Sequence, residues 1–157
     1  MICLGLDPGA SGGLGAITLG DLIEGPRTYV AEPWPETEAD MAHLVYRYNQ
    51  LVYRYNRRPV AVIERVHSMP KQGVASSFKF GRHYGFLRGL LVAYGIPFVE
   101  VNPQTWQKAL GCLSHGDKNI TKTRAQQLAP DLKFTHRTAD AFLLAIYCSR
   151  LDWTYLR

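Results

Sequence analysis

Residues 1–13 read MICLGLDPGASGG, and the parsing of this stretch decides the fold. An apolar run (Ile2, Cys3, Leu4, Leu6) stops at one carboxylate, Asp7, and Pro8-Gly9 and Ser11-Gly12-Gly13 follow at once. A short apolar run bounded by turn residues reads as a buried strand. Asp7 then stands at the carboxyl end of a central strand, where the chain turns. A carboxylate is costly to bury without a cation or hydrogen-bond donors. A metal ion gives Asp7 its reason, and the rest of the chain is searched for residues that join it.

Outward from this stretch, Gly13–Leu19 (GLGAITL) reads as a second strand, joined to the first by a short hairpin. Arg27–Ala31 reads as a third, ended by Glu32-Pro33-Trp34-Pro35, so the sheet starts with three antiparallel strands. Glu36–Arg58 has a helical period and an acid-rich first turn. It carries a tandem repeat, Leu44-Val-Tyr-Arg-Tyr-Asn49 and Leu51-Val-Tyr-Arg-Tyr-Asn56. Seven residues make two helical turns, so Leu44 and Leu51 share a face, as do Arg47 and Arg54. An amphipathic helix covering the sheet explains the repeat better than an aromatic-basic stripe for nucleic acid.

Pro59–Ile63 (PVAVI) is a short β-branched strand that ends in Glu64, repeating the opening pattern. In open α/β sheets the carboxyl edge of the strands is where ligands bind. Two acids delivered there by two strands are far more specific than one. Lys71–Ser77 reads as a loop and Ser77–Tyr94 as a helix in which Gly81, Gly85 and Gly89 recur at every fourth position. Each interior glycine costs a helix about 1 kcal/mol relative to alanine. The stripe therefore serves close packing, against the chain's own sheet or against a second copy.

Ile96–Val101 is a further strand, and Asn102-Pro103 caps a helix that ends at Gly111. Leu113–Ile120 reads as a loop, Thr121 as the cap of a helix running to Leu128, and Thr135 or Thr138 as the start of the last helix, His136–Leu151. That helix holds a third acid, Asp140, with His136 one turn before it on the same face. Alone, Asp140 is a first-turn acid and His136 a surface residue. With Asp7 and Glu64 they make a constellation.

Composition bounds the rest. The 157 residues suffice for one domain (1–157) with a sizeable core, and 46% hydrophobic with 20% charged content describes an ordinary soluble chain. No apolar run reaches the ~20 residues that span a bilayer, and Asp7-Pro8 interrupts the only apolar N-terminal run, so neither a membrane nor a secretory leader is expected. Cys3, Cys112 and Cys148, without a CxxC, argue against a disulfide framework or zinc site and read as reduced thiols of a cytoplasmic protein. Eighteen Lys and Arg against 13 Asp and Glu favour a polyanionic partner.

Together these motifs resemble the RuvC-like Holliday junction resolvases of the RNase H-like (retroviral integrase) superfamily. The resemblance runs over nearly the whole chain. It is carried by Gly5-Leu6-Asp7-Pro8-Gly9, Ile63-Glu64-Arg65-Val66, Ser77-Phe78-Lys79-Phe80-Gly81-Arg82 with Gly85, Val101-Asn102-Pro103 through Lys108 and Gly111, and Ala139-Asp140-Ala141. The short chain and the form His136-Arg-Thr-Ala-Asp140 are similar to phage-type or divergent members.

The resemblance implies an α/β fold with a mixed five-stranded sheet, three antiparallel N-terminal strands and two further parallel ones, flanked by helices. It implies a homodimeric endonuclease, dependent on Mg²⁺ or Mn²⁺, that makes paired nicks in four-way DNA junctions. By the same resemblance Asp7 bridges two ions, Glu64 and Asp140 each hold one, and His136 completes a shell or assists the attacking water. Two ions about 3.5–4 Å apart stabilise both oxygens of a phosphodiester displacement, and oxygen ligands suit Mg²⁺ or Mn²⁺. Lys108, Lys118, Lys122 and Arg124, with Phe78 and Arg82, become candidate DNA contacts, and Gly81, Gly85 and Gly89 the dimer interface. His67 takes the position where the family often has an aromatic that stacks at the junction centre.

Other functions compete. Looser cleavage of branched DNA or RNase H-like processing of RNA uses the same residues. An actin-like ATPase also opens with a strand, Asp-x-Gly and a Gly-rich hairpin, but this chain is too short for a two-lobed cleft, so no nucleotide cofactor is expected. A non-catalytic junction-binding protein would not need all three acids.

Overall fold

The computed structural model describes residues 1–18, 28–55, 57–65 and 73–154. The elements follow as β1 (Ile2–Asp7), β2 (Gly13–Thr18), β3 (Thr28–Pro33), α1 (Glu38–Tyr55), β4 (Pro59–Glu64), α2 (Val74–Ala93), β5 (Phe98–Val101), α3 (Pro103–Ala109), α4 (Lys118–Leu128) and α5 (His136–Cys148). The strands form one mixed sheet in the order β3-β2-β1-β4-β5. β1 and β2 pair antiparallel with Asp7 opposite Gly13, and β3 continues antiparallel on β2. β4 lies parallel to β1 with Ile63 beside Leu6, and β5 lies parallel to β4 with Val101 beside Glu64. The expected sheet is therefore the observed one. Because β1 and β4 are parallel neighbours, Asp7 and Glu64 leave the sheet at the same edge.

Side chains alternate across a strand, and β1 uses both of its faces. Ile2, Leu4 and Leu6 join Ala61 and Ile63 of β4 under Met41, Leu44 and Val45 of α1 and Leu87 and Leu91 of α2. Cys3, with Val60 and Val62, joins the opposite core beneath Phe142, Leu143 and Leu144 of α5, Trp106 of α3 and Ala125 of α4. The covering role read for the α1 repeat agrees with this packing: Leu44 is buried, and Arg47 pairs with Glu32 at 3.1 Å. The second copy's side chains from Val52 onward lie outside the described residues.

Two strand glycines set the height of α5 above the sheet. A Cβ at Gly5 would overlap the Ala145 nitrogen and the Ala141 carbonyl, and one at Gly15 would overlap Ala141 again. Glycine in a strand interior weakens the strand unless another backbone comes close. Here α5 is that backbone, and its first turn is brought down over the end of β1.

Several boundaries depart from the sequence reading. β3 runs on through Glu32 to Pro33, which an outer strand allows because a proline needs no donor on its free edge. α2 begins at Val74, inside the stretch read as loop, because Gly73 precedes it without a side-chain cap to announce the start. α4 is capped not by Thr121 but by Asp117, whose carboxylate accepts from the Asn119 amide at 2.9 Å. Thr121 sits buried in that helix, its hydroxyl turned back to the Lys118 carbonyl. α5 opens at Thr135 with a capping box to Thr138, so both candidate residues share the start, and it ends at Cys148. Leu19, Arg27 and Lys71, placed at element ends by the sequence reading, lie outside the described residues.

Candidate metal centre

Asp7 is buried at the end of β1, and its carboxyl is held well above the usual range. Burial is the main cause; Glu64 and Asp140 add to it, and Lys118 opposes. Glu64, at the end of β4, is pushed up to about 7 by burial, against the pull of a hydrogen bond from Trp106 Nε1 at 2.7 Å. Asp140 is likewise raised by burial, while Thr121, Lys118 and His136 pull it down. Three carboxylates from β1, β4 and α5 thus sense one another in a poorly solvated place. Lys118 is the cation that all three feel.

Asp140 Oδ1 is buried with no hydrogen-bond partner among the described residues, a cost that a cation removes. The acids are all hard oxygen donors, and desolvation with like-charge repulsion makes their ionised forms unstable until a positive charge joins them. Among the described residues no three His, Cys, Asp or Glu side chains converge closely enough to hold an ion outright. The residues fit a hard cation by chemistry and by this orphaned oxygen.

Several supports of this site escaped the sequence reading. Trp106, fully buried, gives Glu64 its hydrogen bond, and Trp34 Nε1 donates to the Asp7 carbonyl at 2.7 Å. The only available signal was that a buried tryptophan N–H needs an acceptor. Arg137 donates to the carbonyls of Ala10 and Trp34 at 3.0 and 3.2 Å, so it ties down the turn after Asp7. His136 beside it is exposed and lies one turn before Asp140.

The remaining candidates scatter. Lys118 opens α4 at the acid site, and Lys122 follows half-buried on the same helix. Lys108 is exposed in the last turn of α3. Arg124 is engaged within the fold, its Nε donating to the Leu110 carbonyl at 2.9 Å and its other nitrogen to Gln127 at 3.2 Å. On α2, Phe78 is 73% exposed and Arg82 pairs with Glu38 at 2.7 Å. His67 lies outside the described residues. At Gly81, Gly85 and Gly89 an added Cβ would meet none of the described residues within 4 Å. The glycine stripe therefore does not pack on the chain's own sheet.

Neither a protein-family model nor a curated protein sequence matches this chain. Solved structures do. RuvC of Thermus thermophilus matches with a TM-score of 0.59 at 18% identity, over 93% of this chain and 92% of its own. The same protein in complex with a Holliday junction substrate matches with a TM-score of 0.58 at 19% identity, over 93% and 91%. The yeast mitochondrial Holliday junction resolvase matches with a TM-score of 0.51 at 16% identity, over 91% of this chain and 75% of its own. At these identities the likeness is one of fold, and in fold this chain is RuvC-like.

Proposed function

We propose that this chain is a divalent-metal-dependent endonuclease that resolves four-way DNA junctions as a homodimer. The observation that carries the reading is the triad of buried Asp7 and half-buried Glu64 and Asp140, gathered from two parallel strands and one helix within the field of Lys118. The fold shared with RuvC, one form of which is bound to a junction, supports the choice of substrate.

Asp7 would help to hold both ions, and Glu64 and Asp140 would each hold one. Bound Mg²⁺ or Mn²⁺ supplies Lewis-acid polarisation of the phosphoryl group and a water acidic enough to attack near neutral pH. The chain's own residues prepare that chemistry. Trp106 holds one Glu64 oxygen in place, leaving the other as a ligand. Lys118, exposed at the start of α4 and felt by all three acids, would meet the phosphate of the strand to be cut. His136, exposed one turn before Asp140, is positioned to take a proton or complete a shell.

The α2 face supports the dimer. Val74, Phe78 and Val92 are 87%, 73% and 70% exposed, and the three open glycines lie between them. A two-fold partner laid along this face would bury an apolar seam that is otherwise solvated.

Purified protein with Mg²⁺ or Mn²⁺ is expected to cut a synthetic four-way junction in preference to flaps, plain duplex and RNA–DNA hybrid. Asp7→Asn is expected to bind the junction and leave it intact. Cleavage by Asp7→Asn at the wild-type rate would remove the metal assignment, and equal cleavage of the whole panel would remove the junction.

A further inference from the structure

Asp7, Pro8 and Gly9 form the turn on which the candidate centre hangs, and Pro8 has no amide hydrogen to anchor it. The main-chain groups on either side of Pro8, the Asp7 carbonyl and the Gly9 amide, are both taken by aromatic rings. Trp34 Nε1 donates to the Asp7 carbonyl at 2.7 Å, and the Gly9 N–H donates to His83 Nδ1 at 2.7 Å. The two rings meet edge to face, 5.9 Å apart at 88°. Gly9 has φ 109°, a left-handed conformation that only glycine adopts easily, and a Cβ there would run into the Phe80 ring. Phe80 and His83 both belong to α2, so this helix grips the turn with one ring beneath it and one hydrogen bond.

We propose that His83 is a positioning residue for the candidate metal centre: by accepting from the Gly9 amide it fixes where the Asp7 carboxylate stands. The proposal rests on reading Asp7 as a metal ligand. A backbone amide can only donate, so Nδ1 is the unprotonated nitrogen and the neutral ring carries its proton on Nε2. Nε2 faces the Met41 sulfur at 3.2 Å, a weak acceptor, so the better bond of the ring goes to Gly9. Burial lowers the His83 pKa, against a smaller opposing effect of Glu38, and favours this neutral form. Partners in the outer shell of a metal site hold the ligands to within a fraction of an ångström, and their loss costs about 10–100-fold in metal affinity or activity.

Two substitutions separate positioning from simple packing. His83→Phe keeps a ring against Trp34 and removes the acceptor; His83→Asn keeps an acceptor near the place of Nδ1. Imidazole ¹⁵N shifts are expected to show the Nε2–H tautomer, and hydrogen exchange a protected Gly9 amide, in the unaltered protein. In His83→Phe the Gly9 amide should exchange at least about tenfold faster, Mn²⁺ binding by calorimetry should weaken about tenfold, and junction kcat should fall about 10–100-fold with KM little changed. His83→Asn should return all three to within about threefold. An unprotected Gly9 amide in the unaltered protein overturns the proposal, as does a His83→Phe protein whose Gly9 amide is released while Mn²⁺ binds as before. If His83→Phe does not fold, His83→Leu, which also lacks an acceptor, takes its place under the same criteria. The exchange and calorimetric readings do not need cleavage, so a chain that never cuts junctions would refute the proposed function and leave this inference decided on its own.

Discussion

Asp7, Glu64 and Asp140 place a cost on the fold that the structure makes specific. Each carboxyl is raised above its ordinary value, chiefly by burial, so the folded chain holds protons more tightly there than the unfolded chain does. Asp7→Asn removes one buried charge, and without divalent ions it is expected to raise the melting temperature by a few degrees while abolishing cleavage. Thermal denaturation in chelator checks the first outcome, and a junction assay the second. Gly5 gives the opposite case. Gly5→Ala should destabilise by about 2–4 kcal/mol, because the new methyl has only the α5 backbone to displace. Denaturant titration reads that loss directly. Trp106→Phe should weaken the metal about 10–100-fold with modest loss of stability, because Glu64 loses the donor that holds its oxygen.

At the scale of elements, α2 has two working faces. One side presents Leu87 and Leu91 to the core and His83 to the turn after Asp7; the other presents the exposed seam of Phe78, Gly81, Gly85 and Gly89. Gly85→Leu adds bulk where none of the described residues stands. It is expected to leave the folded monomer as stable as before, or slightly more so from helix propensity, while lowering the dimer fraction in sedimentation. Unchanged dimerisation would move the interface off this face. The starts of helices were the least legible parts of the sequence. Thr121 looked like a cap, yet Asp117 caps α4, and Gly73 begins α2 with no side-chain cap at all. Short polar residues crowd that loop, and only the final path of the chain selects among them.

For the molecule as a whole, the proposed metal would compete with protons for the same three groups. Glu64 titrates at about 7 in the folded chain against an ordinary 4.5. Between those values unfolding releases protons, so stability falls as pH rises through that window. Asp7 and Asp140, shifted in the same direction, extend the effect. In chelator the melting temperature should therefore decline from about pH 5 to about pH 8, and Mg²⁺ should restore more of it at the upper end, where the ligands are ionised. Glu64→Gln should flatten that slope. A melting temperature that climbs with pH in chelator would contradict the raised carboxyls.

The sheet and the acids were legible in the sequence because they depend on local pattern. Apolar runs ending in Asp7 and Glu64 mark strands whose carboxyl ends share an edge once the strands lie parallel, and a threonine start before a strongly apolar body marks the helix that carries Asp140. What supports those acids was not legible. His83 reaches Gly9 across 74 residues, Arg137 reaches Ala10 across 127, and Trp106 reaches Glu64 across 42. No local pattern encodes such pairings. They exist only after α5 settles onto Gly5 and Gly15 and α2 swings beside the first turn, because hydrogen-bond geometry is decided by where backbones finally meet. From Met1–Gly13 alone, Asp7 is an acid in want of a cation; tertiary packing adds the two other acids, one lysine and the rings that hold it still.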